Sequence, residues 1–292
     1  LGTLAGCASA PAAPAVTTLA PGVSRVRVGG FTITSVPDGF AERPLAEGFV
    51  RNVPLAQVQA ALAEAKLPTD KVTIPFTPFV VDTGRNKVLL DGGNGTFGAP
   101  TSGTLLRSLA AAGLQPSQID TIIISHFHGD HINGLRSKEG QLTFPNAKIL
   151  VPAPEWAWWM DDARMNALPE NQRGNFMAVR RVFGPNAQQI ERFEPGRELV
   201  PGVRSMPAFG HTAGHTTFMI ESGGQKLLYW ADTTNIAALF VRNPDWAVQF
   251  DADPEAARKV RRALMEMAVK ENLLVAGYHL TVPGIGRLAP RG

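Results

Sequence analysis

The sequence lacks three features that would define its class at once: cysteine pairs, long apolar runs and an excess of one charge. Cys7 is the single cysteine, so an internal disulfide framework is excluded and the body of the chain has no thiolate for a metal site. No apolar stretch approaches the roughly 20 residues that a membrane-spanning helix needs. With 28 Lys and Arg against 25 Asp and Glu, the net charge of +3 indicates no nucleic-acid partner.

The N-terminus resembles a bacterial lipoprotein signal. Leu4-Ala5-Gly6-Cys7 is followed by a run of Ala, Ser and Pro that is typical of a tether. We therefore expect an exported protein, periplasmic or anchored through a lipid on Cys7; the alternative is a disordered Ala/Pro leader with an incidental cysteine. In either case we expect residues 1–22 to lie outside the fold and residues 23–292 to form one folded domain.

The rest of the chain alternates strand patterns with amphipathic helices, which predicts an α/β (α+β) domain. Two hairpins are expected, 23–28 with 31–36 and 79–82 with 87–91. Further strands are predicted at 122–124, 148–151, 203–208, 217–221, 226–231 and 273–276, and helices at 54–66, 155–160, 170–182 and 254–268. One more helix is expected to be capped by Thr101 or Ser102 and to end at Gly113.

Two hairpins in different halves of the chain have similar sequences. One covers residues 79–91 and ends at Asp91, and the other covers residues 218–232 and ends at Asp232. Each aspartate is followed by two small residues and an asparagine. The similarity suggests a duplicated fold in which two sheets pack between outer helices, with coincidence as the alternative.

A dense group of metal-ligand residues follows the predicted strand at 122–124. The segment reads Ser125-His126-Phe127-His128-Gly129-Asp130-His131, and a hydrophobic core has no need of so many imidazoles and carboxylates together. The other three histidines, His211, His215 and His279, also follow predicted strands. The sequence therefore predicts a metal site that folding completes.

These motifs and their order resemble the metallo-β-lactamase superfamily. The matching residues are His126-x-His128-x-Asp130-His131, Gly210-His211-Thr212-x-Gly214-His215, Ala231-Asp232 and His279, together with Asp91-Gly92-Gly93. The resemblance implies a four-layer αββα sandwich whose site lies at one edge of the packed sheets.

The resemblance also implies two metal ions. The first would be held by His126, His128 and His211, and the second by Asp130, His131 and His279, with Asp232 bridging the two. Asp91 and His215 match family positions that support the ligands through hydrogen bonds. Asp130 and Asp232, with a hydroxide held between the metals, are the predicted catalytic groups.

The expected chemistry is metal-dependent hydrolysis. Two divalent metals about 3.5–4 Å apart lower the pKa of water from 15.7 to roughly 7, so a hydroxide becomes available as nucleophile. Imidazole and carboxylate ligands without thiolate favour two Zn²⁺, with cobalt, manganese and iron as alternatives.

Within the superfamily, the likeness is greatest to methyl parathion hydrolase and lactonase-like members. Phe97, Trp159 and Phe176 match positions that line the leaving-group pocket in that group, so we expect an aromatic pocket, with core packing as the alternative. The predicted substrate is a small-molecule lactone, aryl ester or organophosphate triester. A β-lactam-hydrolysing enzyme with all-histidine ligation and a non-catalytic metal-binding module stay open, as does a homodimer.

Overall fold

The structure, a computed structural model, describes residues 15–290. The strands are β1 (Thr17–Ala20), β2 (Val23–Val28), β3 (Phe31–Ser35), β4 (Phe40–Pro44), β5 (Lys71–Pro75), β6 (Phe79–Asp82), β7 (Lys87–Leu90), β8 (Thr121–Ile123), β9 (Lys148–Pro152), β10 (Glu191–Phe193), β11 (Glu198–Val200), β12 (Val203–Pro207), β13 (Thr216–Ser222), β14 (Gln225–Tyr229), β15 (Leu274–Ala276) and β16 (Ile285–Gly286). The α-helices are α1 (Leu55–Glu64), α2 (Leu105–Ala111), α3 (Gly129–Ile132), α4 (Ala153–Trp159), α5 (Asp162–Ala167), α6 (Gly174–Phe183), α7 (Ala237–Phe240) and α8 (Pro254–Lys270).

Two large sheets form the centre of the fold. The first has the order β1-β2-β3-β6-β7-β8-β9-β10 and is antiparallel as far as β7 and parallel from β7 onward. The second has the order β11-β12-β13-β14-β15-β16 and is antiparallel except for the parallel pair β14 and β15. A separate ribbon is formed by β4 and β5.

Alternate side chains of each sheet point into different layers, as the period of two along a strand requires. In β7, Val88 and Leu90 pack into the core between the sheets, whereas Leu89 packs on the other face. In β14, Tyr229 faces the same central core and Leu228 faces away from it. Both faces of both sheets are therefore covered.

Helices cover the outer face of each sheet. Leu105 and Leu109 of α2 and Val179 of α6 pack against the first sheet. Leu264 and Ala268 of α8 pack against the second. The order of layers is helix, sheet, sheet, helix, which confirms the predicted αββα sandwich.

The two hairpins with similar sequences have the same topology. Each is antiparallel, β6 with β7 and β13 with β14, and each second strand has a parallel neighbour, β8 or β15. In both halves a non-glycine residue with positive φ follows the hairpin: Asp91 at 63° and Ala231 at 46°. The carboxyl ends of the paired strands thus deliver Asp91 and Asp232 to the same edge of the sandwich as the histidine segment.

The ordered sheet begins before the boundary at residue 23. At its edge β1 pairs with β2, with Thr17 opposite Arg25 and Thr18 opposite Ser24. The strand was missed because it is largely exposed and carries no apolar alternation. Cys7 lies outside the described residues, so export and lipid attachment stay predictions. Within residues 15–290, no helix is long and apolar enough to cross a membrane.

The helix α2 begins later than its expected cap. Its first residue is Leu105, and the hydroxyls of Thr101 and Ser102 donate instead to backbone carbonyls outside the helix. The Leu105 N–H is bound by the carboxylate of Asp38 at 2.8 Å. The expected Thr or Ser cap was wrong because a residue far away in sequence takes that role. The predicted helix 170–182 is also divided, into a 3₁₀ turn at Glu170–Gln172 and α6.

We predict that Asp38→Ala destabilises the fold by roughly 2–4 kcal/mol, because it leaves buried donors unpaired and removes a helix cap. Asp38 is fully buried, and it also accepts from the backbone and side-chain amides of Asn94 at 2.6 and 3.0 Å. Urea unfolding at fixed zinc concentration measures the change. The exposed Asp70→Ala serves as control and is expected to stay within about 0.5 kcal/mol of wild type; equal midpoints for the two variants would contradict the assignment.

Candidate metal centre

The two spacer residues of the histidine segment explain its shape. The Phe127 ring is fully buried and packs on Phe183 of α6, with ring centroids 4.7 Å apart. Gly129 opens α3, where an added Cβ would lie 2.7 Å from the side-chain nitrogen of Asn133. Phe127 thus anchors the loop in the core, and Gly129 allows the tight turn that brings Asp130 back to the histidines.

Four side chains form what we call the first donor group: His126, His128, His211 and Asp232. The Nδ1 atom of His128 lies 3.0 Å from Nε2 of His126 and 3.0 Å from Nε2 of His211. Asp232 Oδ2 lies 3.2 Å from His211 Nε2 and 3.8 Å from His126 Nε2. Residues that are 106 positions apart in sequence therefore meet around one point.

Three side chains form the second donor group: Asp130, His131 and His279. Asp130 Oδ2 lies 3.5 Å from His131 Nε2 and 3.4 Å from His279 Nε2. Asp232 adjoins this group as well, because its Oδ1 lies 3.2 Å from His131 Nε2 and its Oδ2 lies 3.0 Å from His279 Nε2. All seven residues expected from the sequence are thus brought together, with Asp232 between the two groups.

The geometry of both groups is suited to zinc. Tetrahedral zinc with bonds of 2.0–2.1 Å places neighbouring ligand atoms about 3.3 Å apart, close to the separations in both groups. Two buried atoms that face each other, His131 Nε2 and Asp232 Oδ1, have no hydrogen-bond partner. Buried polar atoms are rarely left unpaired in proteins, and a cation between them would satisfy both.

Asp91 supports the second donor group from behind. Its Oδ2 lies 3.0 Å from Nδ1 of His131, so it can fix the imidazole with Nε2 directed at the group. Asp91 itself is held by the N–H and hydroxyl of Ser125 and by the hydroxyl of Tyr229, at 2.8, 2.9 and 2.5 Å. The supporting position expected for Asp91 is the one that the fold gives it.

His215 contacts the backbone of a donor residue. Its Nε2 accepts the N–H of Asp232 at 3.1 Å, and its Nδ1 donates to the carbonyl of Ala208 at 2.9 Å. Both ring nitrogens are therefore used, which leaves none for a metal ion. Burial lowers the pKa of His215 to about 4, so the imidazole stays neutral and keeps the tautomer that this pair of bonds requires.

Asp251 is a supporting residue that the sequence did not reveal. Its Oδ1 lies 2.9 Å from Nδ1 of His211, and its Oδ2 lies 3.3 Å from the guanidinium of Arg261, which is buried in α8. Arg261 also donates to the backbone carbonyls of Thr233 and Trp246, each at 2.7 Å. A carboxylate and an arginine therefore lock the imidazole of His211 to the outer helix.

The charges around the donor groups determine which imidazoles are neutral before metal enters. Burial lowers the pKa of His126 and of His128 well below the usual value, which favours the neutral form that binds metal. Burial also lowers the pKa of His211, but hydrogen bonds to Asp232 and Asp251 outweigh it and raise that pKa to about 9. A metal ion must therefore displace a proton from His211.

Two cavities open onto the donor groups. The smaller, of about 590 Å³, is lined by residues of both groups and by apolar side chains that include Ile74, Phe76, Phe97 and Phe250. The larger, of about 1040 Å³, is lined by His128 and His211 of the first donor group and shares both residues with the smaller cavity. The donor groups are thus accessible to a small molecule.

The three expected pocket aromatics do not share one wall. Trp159 and Phe176 line the larger cavity with ring centroids 4.8 Å apart, and Trp159 lies 6.4 Å from His128. Phe97 lines the smaller cavity, where the guanidinium of Arg181 stacks on its ring at 3.7 Å. The three therefore line two different cavities, which meet at His128 and His211.

The chain matches the metallo-beta-lactamase superfamily over residues 77–279, a range that includes both donor groups. The N-acyl homoserine lactonase AiiA of Bacillus thuringiensis subsp. kurstaki is 26% identical over 246 residues, which cover 77% of this chain and 87% of AiiA. The probable metallo-hydrolase Rv2300c of Mycobacterium tuberculosis is 25% identical over 134 residues, or 44% of this chain and only 41% of that relative.

Two solved structures are similar over nearly the whole fold. AidC, a dizinc quorum-quenching lactonase in complex with a product, gives a TM-score of 0.87 at 25% identity and covers 92% of this chain and 94% of AidC. The hydrolase AbOPH of the β-lactamase superfamily gives a TM-score of 0.85 at 25% identity, with 97% and 95% covered. The expected fold is confirmed by both.

We predict that Asp251→Asn lowers zinc affinity at the first donor group by roughly 10- to 100-fold, because His211 loses its orienting carboxylate. Competition with a chromophoric zinc chelator measures the affinity. Asp253→Asn makes the same chemical change two residues away, where the side chain caps α8, a role that asparagine also fills, and contacts no donor residue. The assignment would be wrong if both variants bound zinc as wild type does.

Proposed function

Because the chain belongs to the metallo-β-lactamase superfamily and its two donor groups share Asp232, we propose that it is a zinc-dependent hydrolase of ester-type bonds. The observation that carries the proposal is the set of seven donor side chains, five of which, His128, Asp130, His211, Asp232 and His279, line an open cavity. A site used only for structure would be closed to solvent.

The donor groups would hold one zinc ion each. His126, His128 and His211 would bind the first and Asp130, His131 and His279 the second, with Asp232 as the shared ligand. Zinc in such a site lowers the pKa of water to about 7 and polarises the oxygen of the bond to be cleaved. No serine or cysteine nucleophile is then required.

Asp130 is the donor residue to which we assign a proton-handling role. Its side chain is 23% exposed and lines the smaller cavity, so its carboxylate can be reached by a substrate. The two tyrosines of the chain are engaged elsewhere: the Tyr229 hydroxyl donates to Asp91, and the Tyr278 hydroxyl donates to the Asp130 carbonyl at 2.6 Å. Asp130 would face the second zinc through Oδ2, so its other oxygen, Oδ1, would take up the proton that the attacking water loses and pass it to the leaving group, unless water itself carries that proton.

The larger cavity suits an apolar part of the substrate. Its walls include Leu168 and Phe209 besides Trp159 and Phe176, so an acyl or aryl group would be held by area burial and stacking. AiiA and AidC are both lactonases by name. We therefore propose a lactone with an apolar acyl chain as the first substrate class, with aryl esters and phosphotriesters after it.

We predict that the zinc-loaded protein hydrolyses a γ-lactone with a hexanoyl side chain, and that a chelator abolishes the activity because the donor groups lose their metal. A panel of that lactone, an aryl ester, a phosphotriester and a chromogenic cephalosporin identifies the bond. Hydrolysis of the cephalosporin alone would favour a β-lactam-hydrolysing enzyme. No hydrolysis of any of the four with two zinc ions bound would contradict the proposal and favour a non-catalytic metal-binding module.

We predict that Trp159→Ala raises KM for acyl-lactone or aryl substrates by at least about tenfold, because the cavity loses its largest apolar surface near His128. Zinc content, measured by metal analysis, is expected to stay at the wild-type value. Trp246→Phe is the control, because Trp246 packs in the central core away from both cavities. Wild-type KM in the Trp159 variant would contradict a pocket role for this residue.

A further inference from the structure

The glutamate at position 155, in the first turn of α4, is fully buried. A buried carboxylate is costly unless hydrogen-bond donors surround it. Here its Oε1 accepts the N–H of Gly214 at 2.7 Å, and its Oε2 accepts the N–H of Phe127 at 2.9 Å and the indole N–H of Trp159 at 2.8 Å. Burial raises the pKa of Glu155, and the Thr212 side chain together with these three N–H donors opposes the rise.

The three donors belong to three different parts of the proposed active site. Phe127 stands between His126 and His128, and Gly214 stands in the loop that follows His211. All three histidines of the first donor group are thus carried by the two loops that this one carboxylate joins. The third donor, Trp159, is the wall of the larger cavity nearest His128.

The sequence of the second loop is adapted to this contact. A Cβ added to Gly214 would lie 2.4 Å from the backbone nitrogen of Glu155 and 2.9 Å from the side chain of Pro154. Only glycine lets the loop approach α4 closely enough for a hydrogen bond of 2.7 Å. The hydrogen bond from the Gly214 N–H to the Glu155 carboxylate therefore requires glycine at position 214.

We infer that Glu155 is a positioning residue, which fixes the aromatic wall of the substrate cavity relative to the histidines of the first donor group. Its two oxygens receive one N–H from each histidine loop, and the same oxygen that holds the first loop also holds the indole of Trp159. Any displacement of the loops is thereby transmitted to the ring against which the substrate packs. The expected effect on substrate binding rests on the proposed function. The expected effect on the two histidine loops does not.

The decisive variant is Glu155→Gln. Whichever way the new amide lies, its NH₂ group faces at least one of the three N–H donors, so at least one bond is lost. We expect zinc to be released to a chelator at least about tenfold faster than from wild type. Amide hydrogen exchange at Phe127 or Gly214 is expected to become faster, whereas KM for the acyl lactone rises and kcat falls.

Two further variants make the test specific. Glu170→Gln, an exposed glutamate outside both cavities, is the matched control and is expected to behave as wild type in all three measurements. Trp159→Phe keeps an aromatic ring but removes the indole N–H together with part of the apolar surface, so we expect a KM about two- to tenfold higher with zinc release unchanged.

The inference is overturned if folded Glu155→Gln protein, judged by circular dichroism, releases zinc and exchanges both amides at wild-type rates. Should that variant not fold, Trp159→Phe decides, and a wild-type KM overturns the inference. Zinc release and amide exchange need no substrate. A protein that hydrolyses none of the four test substrates, yet shows both effects in Glu155→Gln, would contradict the proposed function and leave the positioning role supported.

Discussion

The carboxylate of Asp232 is the feature on which the rest of the site depends. It is buried within 3.8 Å of four imidazoles, and it belongs to both donor groups at once. Burial raises the pKa of Asp232, but the interactions with His279, His131 and His126 outweigh it and hold that pKa well below its usual range. A buried carboxylate of this kind is stable only if its partners are fixed. The fold fixes them at the edge where the ends of β8, β14 and β15 meet.

A further ring of contacts keeps each partner in place. Asp91 holds His131, Asp251 holds His211, and His215 holds the backbone of Asp232. These contacts tie the donor groups to different layers: Asp91 follows a strand of the first sheet, whereas Asp251 is paired with Arg261 of the outer helix. The aromatic wall of the larger cavity belongs to a different set of elements, with Trp159 on α4 and Phe176 on α6. The donor groups and the wall of the larger cavity therefore lie on different elements, and Glu155 is a residue that contacts both.

Prediction from sequence succeeded where the chemistry is local. His126, His128, Asp130 and His131 lie within six residues, so their types and spacing alone indicate metal, and resemblance to a family supplied the distant partners. It failed where a common residue acts through a distant contact. Asp38, Asp251 and Glu155 are single carboxylates without a motif, and each has at least one partner that lies between 28 and 67 positions away. A hydrophobic pattern with a period of two or 3.6 residues gives no information about such a contact.

The sequence by itself indicated sheets covered on both faces, because the consecutive apolar residues of strands such as β7 and β14 point alternately to the two sides and each side must be buried. It also indicated a metal site through the segment His126 to His131, whereas His211, Asp232 and His279 were expected as ligands from the resemblance to a family. The tertiary structure alone decided that Phe97 and Trp159 border different cavities and that Trp156, Trp158 and Trp159 have different surroundings. Trp156 packs on Phe183, Trp158 is covered by Arg164, and only Trp159 reaches His128. The direction of a side chain on a short helix is set by the residues that pack against it. Those residues are often distant in the chain, so the local sequence does not identify them.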